Sequence, residues 1–320
     1  MSPSSPWRRR ALLATLVLAA GAATAQDSFP SRPVELIVPY ALGGGVGAMA
    51  RAFAMEASAQ TGQTWVVTPR EGGGGIVGFS ALARAKADGY TVVFSPASPL
   101  TNSPFVVSKM PFQADQVEPV CQVFENVFAI VVPEASPIRS LAELVARARA
   151  KPGAVPYGHA GQASIPHLSV AAVERHAQVK FNPIAYRGDA PALTDLLGGA
   201  IDFAALGLST IGGKNLRVLA VFADRPHPSQ PDAPTISSLG YPSVSPGLNG
   251  LYVPAGTPRT VVDRIEGICK AVVASAGFRD SAGKLGQLPL YLDAAPFKAR
   301  IAATYKAHES LVPDLKLEKQ

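Results

Sequence analysis

The stretch Pro39-Tyr40-Ala41-Leu42-Gly43-Gly44-Gly45-Val46-Gly47 carries the strongest structural signal in the chain. It follows the β-rich apolar run Val34–Val38 and leads into the apolar residues 48–55, so it predicts a strand, a glycine turn and a helix. Glycine has no Cβ atom, so such a turn can expose backbone N–H groups, and the following helix N-terminus adds partial positive charge. We expect either a cradle for a carboxylate or phosphate, or a tight loop with no ligand.

Two further loops are predicted to lie beside this turn. A strand over residues 65–68 is followed by a second glycine cluster, residues 72–75, and then by a helix. A strand over residues 90–94 is followed by residues 95–99, which offer hydroxyl groups. In an open α/β sheet, the loops at the carboxyl ends of the strands share one edge. The three loops therefore predict a common crevice.

The second half of the chain again places small residues before predicted helices. Ser140 and Glu143 have the spacing of a capping box. The loop of residues 158–165 leads to Pro166 at a plausible first helical position, and Asp189 is a candidate N-cap for a helix over residues 192–197. Further strands are predicted over residues 201–206, 216–222 and 248–253, and further helices from residue 257 and over residues 294–309.

The N-terminal residues have the pattern of an export signal. Arg8-Arg9-Arg10 precede an apolar run over residues 11–20, and Ala23-Thr24-Ala25 supplies small residues where a signal peptidase cleaves. Residues 1–25 are therefore predicted to be a secretory signal peptide. A membrane anchor fits less well, because the apolar run is shorter than the roughly 20 residues that span a bilayer.

Composition excludes some functional classes. The 320 residues contain 29 Lys and Arg against 23 Asp and Glu, a net charge of +6. Removing residues 1–25 removes three arginines and no acids, which leaves 26 against 23 and a charge of +3. This charge does not indicate nucleic-acid binding. Cys121 and Cys269 have no metal-site spacing; after export they would form one disulfide or remain two buried thiols.

A series of short motifs runs in order along nearly all of the chain after residue 25. They are Pro39-Tyr40 with Gly43-Gly44, Arg70 with Gly72, Asp88-Gly89-Tyr90-Thr91, Tyr186-Arg187-Gly188 with Ala190-Pro191-Ala192-Leu193, and Pro254-Ala255-Gly256-Thr257-Pro258. Together they resemble the Bug proteins, the periplasmic solute receptors of the tripartite tricarboxylate transporter family. The resemblance implies an α/β, two-lobed Venus-flytrap fold of type II with two crossovers, and a small carboxylate, amide or aromatic acid bound between the lobes.

The resemblance also implies a division of the chain and a set of partners. Residues 26–125 and 245–320 would form one lobe and residues 126–244 the other. The expected partners are a small organic acid and either membrane permease subunits or a sensor kinase. We expect a periplasmic monomer without a cofactor, a metal ion, nucleic-acid binding or catalytic activity.

In this family the two glycine loops hold one carboxylate through backbone amides, and loops of the second lobe select the rest of the ligand. The sequence departs from the family pattern at Gly47, Pro69 and Glu71, which leaves the ligand open. With the hydroxyl of Ser98 added, the candidate ligand-binding residues are Tyr40, Gly43, Gly44, Gly45, Gly73, Gly74, Gly75, Ser98, Gly161, Ala163, Ser164, His167, Tyr186, Arg187, Gly188 and Asp189.

An enzyme is the alternative to a receptor. Residues 43–48 satisfy the dinucleotide pattern G-x-G-x-x-A, and Glu71 lies about where a ribose-binding acid is expected. A secreted or mislocalised oxidoreductase would fit that pattern. Export argues against it, because it leads to a compartment poor in nicotinamide cofactors. The second glycine cluster also argues against it, because it has no place in dinucleotide binding. His167, in the first turn of a predicted helix, could bond either a ligand or nearby backbone.

Overall fold

The strand predicted before the glycine turn lies inside a six-stranded mixed sheet. The computed structural model describes residues 29–315 and 317, so the predicted signal peptide lies outside the described residues. The strand order in this first sheet is β11-β4-β10-β3-β1-β2. Its strands are β1 (Val34–Val38), β2 (Trp65–Pro69), β3 (Thr91–Pro96), β4 (Val117–Asn126), β10 (Gly247–Pro254) and β11 (Pro289–Leu292).

A second sheet has five strands in the order β7-β6-β8-β5-β9. Its strands are β5 (Phe128–Pro133), β6 (Pro156–His159), β7 (Asn182–Ala185), β8 (Phe203–Gly207) and β9 (Leu216–Val221). We call the six-stranded sheet and the helices packed on it the first lobe, and the five-stranded sheet with its helices the second lobe.

Helices cover both faces of the sheets. The helices of the described residues are α1 (Gly45–Thr61), α2 (Ile76–Ala83), α3 (Ser98–Thr101), α4 (Ser103–Val106), α5 (Leu141–Ala150), α6 (Ile165–Ala177), α7 (Asp189–Leu197), α8 (Leu208–Ile211), α9 (Arg259–Ala274), α10 (Ala276–Lys284) and α11 (Ala294–Asp314). Short 3₁₀ turns occur at Gly73–Gly75, Ala114–Gln116 and Ser237–Leu239.

The chain passes from one sheet to the other twice. It leaves the first sheet at the end of β4 and enters the second at β5, with only Val127 between the two strands. It returns between Val221 and Gly247. The apolar run around residues 124–132, which looks continuous in the sequence, is therefore divided between two sheets.

Alternating residues of the central strands pack on opposite faces of each sheet. In β1, Leu36 packs in a cluster with Phe53 of α1, whereas Ile37 packs with Phe79 of α2. This period of two is what a pleated strand requires when helices cover both faces. The strand is buried because it has apolar residues on both sides.

Two further contacts tie distant parts of the chain together. Cys121 of β4 and Cys269 of α9 form a disulfide, and both residues are fully buried, which answers the question left open by the sequence. The end of α11 packs in the second lobe, where Val312 joins the cluster that contains Phe128 and Phe222. Within residues 29–315 and 317, no helix is both long enough and apolar enough to cross a bilayer.

Candidate functional site

A cavity lies between the lobes, where β1, β3 and β6 end. Its volume is about 410 Å³, including its open mouth. The cavity is lined by Tyr40, Ala41, Gly44, Gly45, Val46, Pro96, Ser98, Asn126, Phe128, Ala160, Ser164, Ile165, Pro166 and Asp189.

Two helix N-termini meet at this cavity, one from each lobe. Val46 lies in the first turn of α1, and Ile165 is the first residue of α6. Backbone N–H groups at these positions have no acceptor within their own helix. The N-cap residue of α6 is Ser164, whose buried Oγ has no hydrogen-bond partner among the described residues. The cavity therefore presents donors and the positive ends of two helix dipoles.

Asp189 is the charged side chain of the cavity wall. None of the described residues that line the cavity is a lysine, arginine or histidine. One carboxylate oxygen of Asp189, Oδ2, accepts hydrogen bonds from the backbone N–H of Gly207 and from Oγ1 of Thr210, both at 2.9 Å. Burial raises the pKa of this carboxyl, and the two hydrogen bonds oppose that shift.

The lobes touch through the first glycine turn, so the structure is a closed form. The N–H of Ala41 donates to the carbonyl oxygen of Arg187 at 2.8 Å. The N–H of Gly45 donates to Oγ1 of Thr210 at 2.9 Å. Because Thr210 in turn donates to Asp189, one hydrogen-bonded chain runs from the N-terminus of α1 to the second lobe.

The second glycine cluster forms another part of the interface between the lobes. Gly74 has a φ of 62° and packs so closely on Gln162 that a Cβ atom would overlap the Gln162 carbonyl oxygen. The carbonyl oxygen of Gly74 accepts a hydrogen bond from the Tyr40 hydroxyl at 2.7 Å. Nearby, the side-chain amide of Asn102 donates to the carbonyl oxygen of Ala163 at 2.9 Å. The contacts of Gly74 with Gln162 and of Asn102 with Ala163 join the two lobes beside the cavity.

The structure brings only part of the predicted set to the cavity. Six of the sixteen candidates line it: Tyr40, Gly44, Gly45, Ser98, Ser164 and Asp189. A second group lies at the contact between the lobes: Gly43, Gly74, Gly161, Ala163, Arg187 and Gly188. The remaining candidates lie neither in the cavity wall nor in that group: Gly73, Gly75, His167 and Tyr186.

His167 lies behind the cavity rather than in its wall. Its ring stacks on that of His159 with centroids 4.3 Å apart, and both residues are buried. Nδ1 of His167 accepts from the N–H of Ala163 at 3.3 Å, and Nδ1 of His159 donates to the carbonyl oxygen of Gly161 at 2.9 Å. The pair therefore supports the loop that touches the first lobe. Burial lowers the pKa of His159 to about 3 and that of His167 to about 4.

The loop before α7 differs from its predicted geometry. Asp189 is the first residue of the helix, and Gly188 occupies the N-cap position. Asp189 does not cap the helix because its side chain accepts from Gly207 and Thr210 instead. Arg187 is exposed, and its carbonyl group accepts from the Ala41 N–H of the first lobe, while the Tyr186 hydroxyl donates to Asp195 at 2.7 Å.

Several lining residues were not among the sequence candidates. Ala41 and Val46 belong to the opening stretch but lack the glycine signal, and Asn126 lies beside the predicted crossover. Neighbouring positions could have suggested these three. Pro96, Ala160, Ile165 and Pro166 lie in or beside loops predicted from the sequence, and Phe128 lies in an apolar run. None of these five lining residues has a polar side chain or is a glycine.

Two α/β lobes that close on a cavity at helix N-termini define a periplasmic-binding-protein fold. The model of the tripartite tricarboxylate transporter family receptors matches residues 49–317, and the chain belongs to this family. A protein of Pseudomonas sp. (strain P51), the UPF0065 protein in the tcbD-tcbE intergenic region, is 32% identical over 292 residues, which cover 87% of this chain and 86% of that protein.

Solved structures agree with this assignment. The periplasmic binding protein BugD superposes with a TM-score of 0.86 at 26% identity, covering 91% of this chain and 100% of BugD. Rpa4515 of R. palustris, solved with adipate, superposes with a TM-score of 0.86 at 25% identity, covering 91% of this chain and 100% of that one. The expected Bug-type receptor fold is confirmed.

Proposed function

We propose that this protein is a periplasmic receptor that holds a carboxylate of a small organic acid between the N-termini of α1 and α6. The observation that carries the proposal is that one cavity is lined by the first turns of both helices and by no basic side chain of the described residues. Backbone N–H groups and helix dipoles then supply the anion site. The adipate bound to Rpa4515 supports a carboxylate as the ligand class.

Capture would couple to closure because the two helices belong to different lobes. A carboxylate held by Val46 of α1 and Ile165 of α6 contacts both lobes only in the closed form. A ligand shifts an equilibrium toward the state it binds better, so such a carboxylate favours closure. We place lobe boundaries near residues 125–126 and 244–245, with residues 1–25 as the export signal. A membrane permease or a sensor would recognise the closed monomer.

The dinucleotide alternative has less support from the geometry. In the closed form, the Gly45 N–H donates to Thr210, and the Ser209 side chain fills the space where a Cβ atom of Gly45 would lie. A pyrophosphate on this turn would compete with both contacts. We therefore propose a binding function without catalysis or a cofactor.

The proposal can be tested by calorimetric titration with small carboxylates and with their neutral methyl esters. Ile165→Pro removes one N–H donor from α6 while keeping a residue that suits the first helical position, and Ile165→Val is the matched control that keeps the donor. We expect esters not to bind, and Ile165→Pro to weaken carboxylate binding about 10-fold. Equal binding of acid and ester would reject the proposal.

A further inference from the structure

Only one of the two oxygens of the Asp189 carboxylate accepts hydrogen bonds from the described residues. Its Oδ2 atom accepts from Gly207 and Thr210, whereas Oδ1 has no hydrogen-bond donor among the described residues. Asp189 is 8% exposed and lines the cavity. A buried carboxylate without a positive partner is costly, so this oxygen requires a donor from elsewhere.

The ionised form of this carboxyl has local support. Two donors already point at Oδ2, and Asp189 lies in the first turn of α7, where a negative charge is favoured. Desolvation is the larger, opposing contribution and raises the pKa of the carboxyl, and the cavity wall contains no cation from the described residues to offset it. A positive group on the ligand would supply the missing partner.

We propose that the ligand is an amino acid whose ammonium group donates to Oδ1 of Asp189 while its carboxylate occupies the site between α1 and α6. This inference rests on the proposed carboxylate receptor function and narrows its ligand class. The unpartnered Oγ of Ser164, in the same wall, adds one more polar contact for the ligand. A plain dicarboxylate is disfavoured because its second carboxylate would meet Asp189, a like charge.

Asp189→Asn changes this preference in a predictable direction. The N–H of Gly207 requires an acceptor at the position of Oδ2, so the amide oxygen of the asparagine stays there. The NH₂ group then faces the cavity in place of Oδ1. The variant should reject an ammonium group and accept a second carboxylate.

The test is calorimetric titration of the wild-type protein with three matched pairs: aspartate and succinate, glutamate and glutarate, and 4-aminobutyrate and butyrate. In the pairs that bind, we expect the amino compound to bind at least about 10-fold more tightly, as for a charged hydrogen bond. Asp189→Asn should abolish or reverse that preference. Asp202→Asn, which removes an exposed carboxylate of the same lobe outside the cavity, should leave it unchanged.

The outcomes separate this inference from the receptor function. Carboxylates that bind with no preference for the amino member, or with a preference that survives Asp189→Asn, would overturn the amino-acid inference and leave the receptor function standing. If no member of any pair binds, and the wider set of carboxylates and esters also fails, both proposals are overturned. Melting curves of the unliganded variants check that each is folded.

Discussion

A side chain at Gly74 is incompatible with the position of Gln162 in the closed form, because a Cβ atom would overlap the Gln162 carbonyl oxygen. The two residues belong to different lobes, and neither lines the cavity. Glycine at position 74 is therefore required for closure. Its φ of 62° also lies in the left-handed region that favours glycine.

Gly74→Ala should weaken ligand binding at least about 10-fold, since a steric overlap of this kind costs about 1–3 kcal/mol in the closed form. Gly62→Ala is the matched control, because Gly62 has a φ of 68° and, apart from adjoining backbone, no atom of the described residues lies within 4 Å of its added Cβ. Both variants should lose about 1 kcal/mol of folding stability through the positive φ. Calorimetric titration and urea unfolding measure the two effects, and equal affinities in the two variants would contradict the prediction.

The stacked pair His159 and His167 should make folding stability depend on pH. Burial lowers the pKa of His167 to about 4, so between about pH 6.5 and that value the unfolded chain binds protons that the folded protein excludes. Stability is therefore present at neutral pH and falls as the solution is acidified. We expect this residue to contribute a loss of about 2 kcal/mol between pH 7 and pH 5 in urea unfolding.

His167→Gln should reduce that pH dependence, and the buried His159 should supply what remains. The exposed His176 provides a control substitution, His176→Gln, that should leave the profile unchanged. A His167→Gln protein with an unchanged profile would show that other groups govern the acid response. Because the Ala163 N–H donates to the His167 ring, protonation should also loosen the loop that contacts the first lobe.

The Cys121–Cys269 disulfide should contribute strongly to stability without affecting the ligand. It joins residues 148 positions apart, and closing so long a loop restricts the unfolded chain. Replacing both cysteines with alanine should lower the free energy of unfolding by about 3–5 kcal/mol. Ligand affinity should stay the same because neither residue lines the cavity. Identical unfolding curves before and after the double replacement would refute this prediction.

Lobe closure should be visible by scattering but not by tryptophan fluorescence. Trp65 is the one tryptophan after residue 25, and it is 3% exposed against Phe53 in the first lobe. Its emission should change little on ligand binding. The radius of gyration of the unliganded protein should decrease when a ligand is added, as the open form is depleted. A bound ligand that leaves the scattering curve unchanged would count against closure.

Local patterns were sufficient to predict several elements from the sequence. The glycine turn does connect β1 to α1, because apolar alternation and glycine content are properties of neighbouring residues. The cap of α5 also forms: Ser140 Oγ accepts from the Glu143 N–H at 3.2 Å. The Glu143 carboxylate, however, bonds the N–H of Arg139 rather than completing the box at Ser140.

Elements that depend on distant partners were missed. The strand β7 (Asn182–Ala185) contains Pro183 and gives no strand signal, yet it is tolerated because it lies at the edge of the second sheet. Thr210 accepts from Gly45, which lies 165 positions earlier, and donates to Asp189, and no spacing rule could have indicated these contacts. The lining residues that were predicted are mostly glycines and hydroxyl-bearing residues of loops recognisable in the sequence. Those that were missed are mostly apolar residues, which tertiary packing brings to the cavity.

The attachment of α11 to the second lobe makes the order of synthesis relevant to folding. Val312 is 2% exposed and belongs to the apolar cluster of the second lobe, although it lies 91 positions after Val221, the last residue of β9. If the chain is exported N-terminus first, this cluster lacks the side chain of Val312 until the last segment has emerged from the export channel. Late emergence prolongs the exposure of apolar surface, the condition under which chaperones are needed. A chain that ends before Leu311 would lack the α11 residues that complete the apolar cluster of the second lobe. Its exposed apolar surface would make the truncated product prone to aggregation.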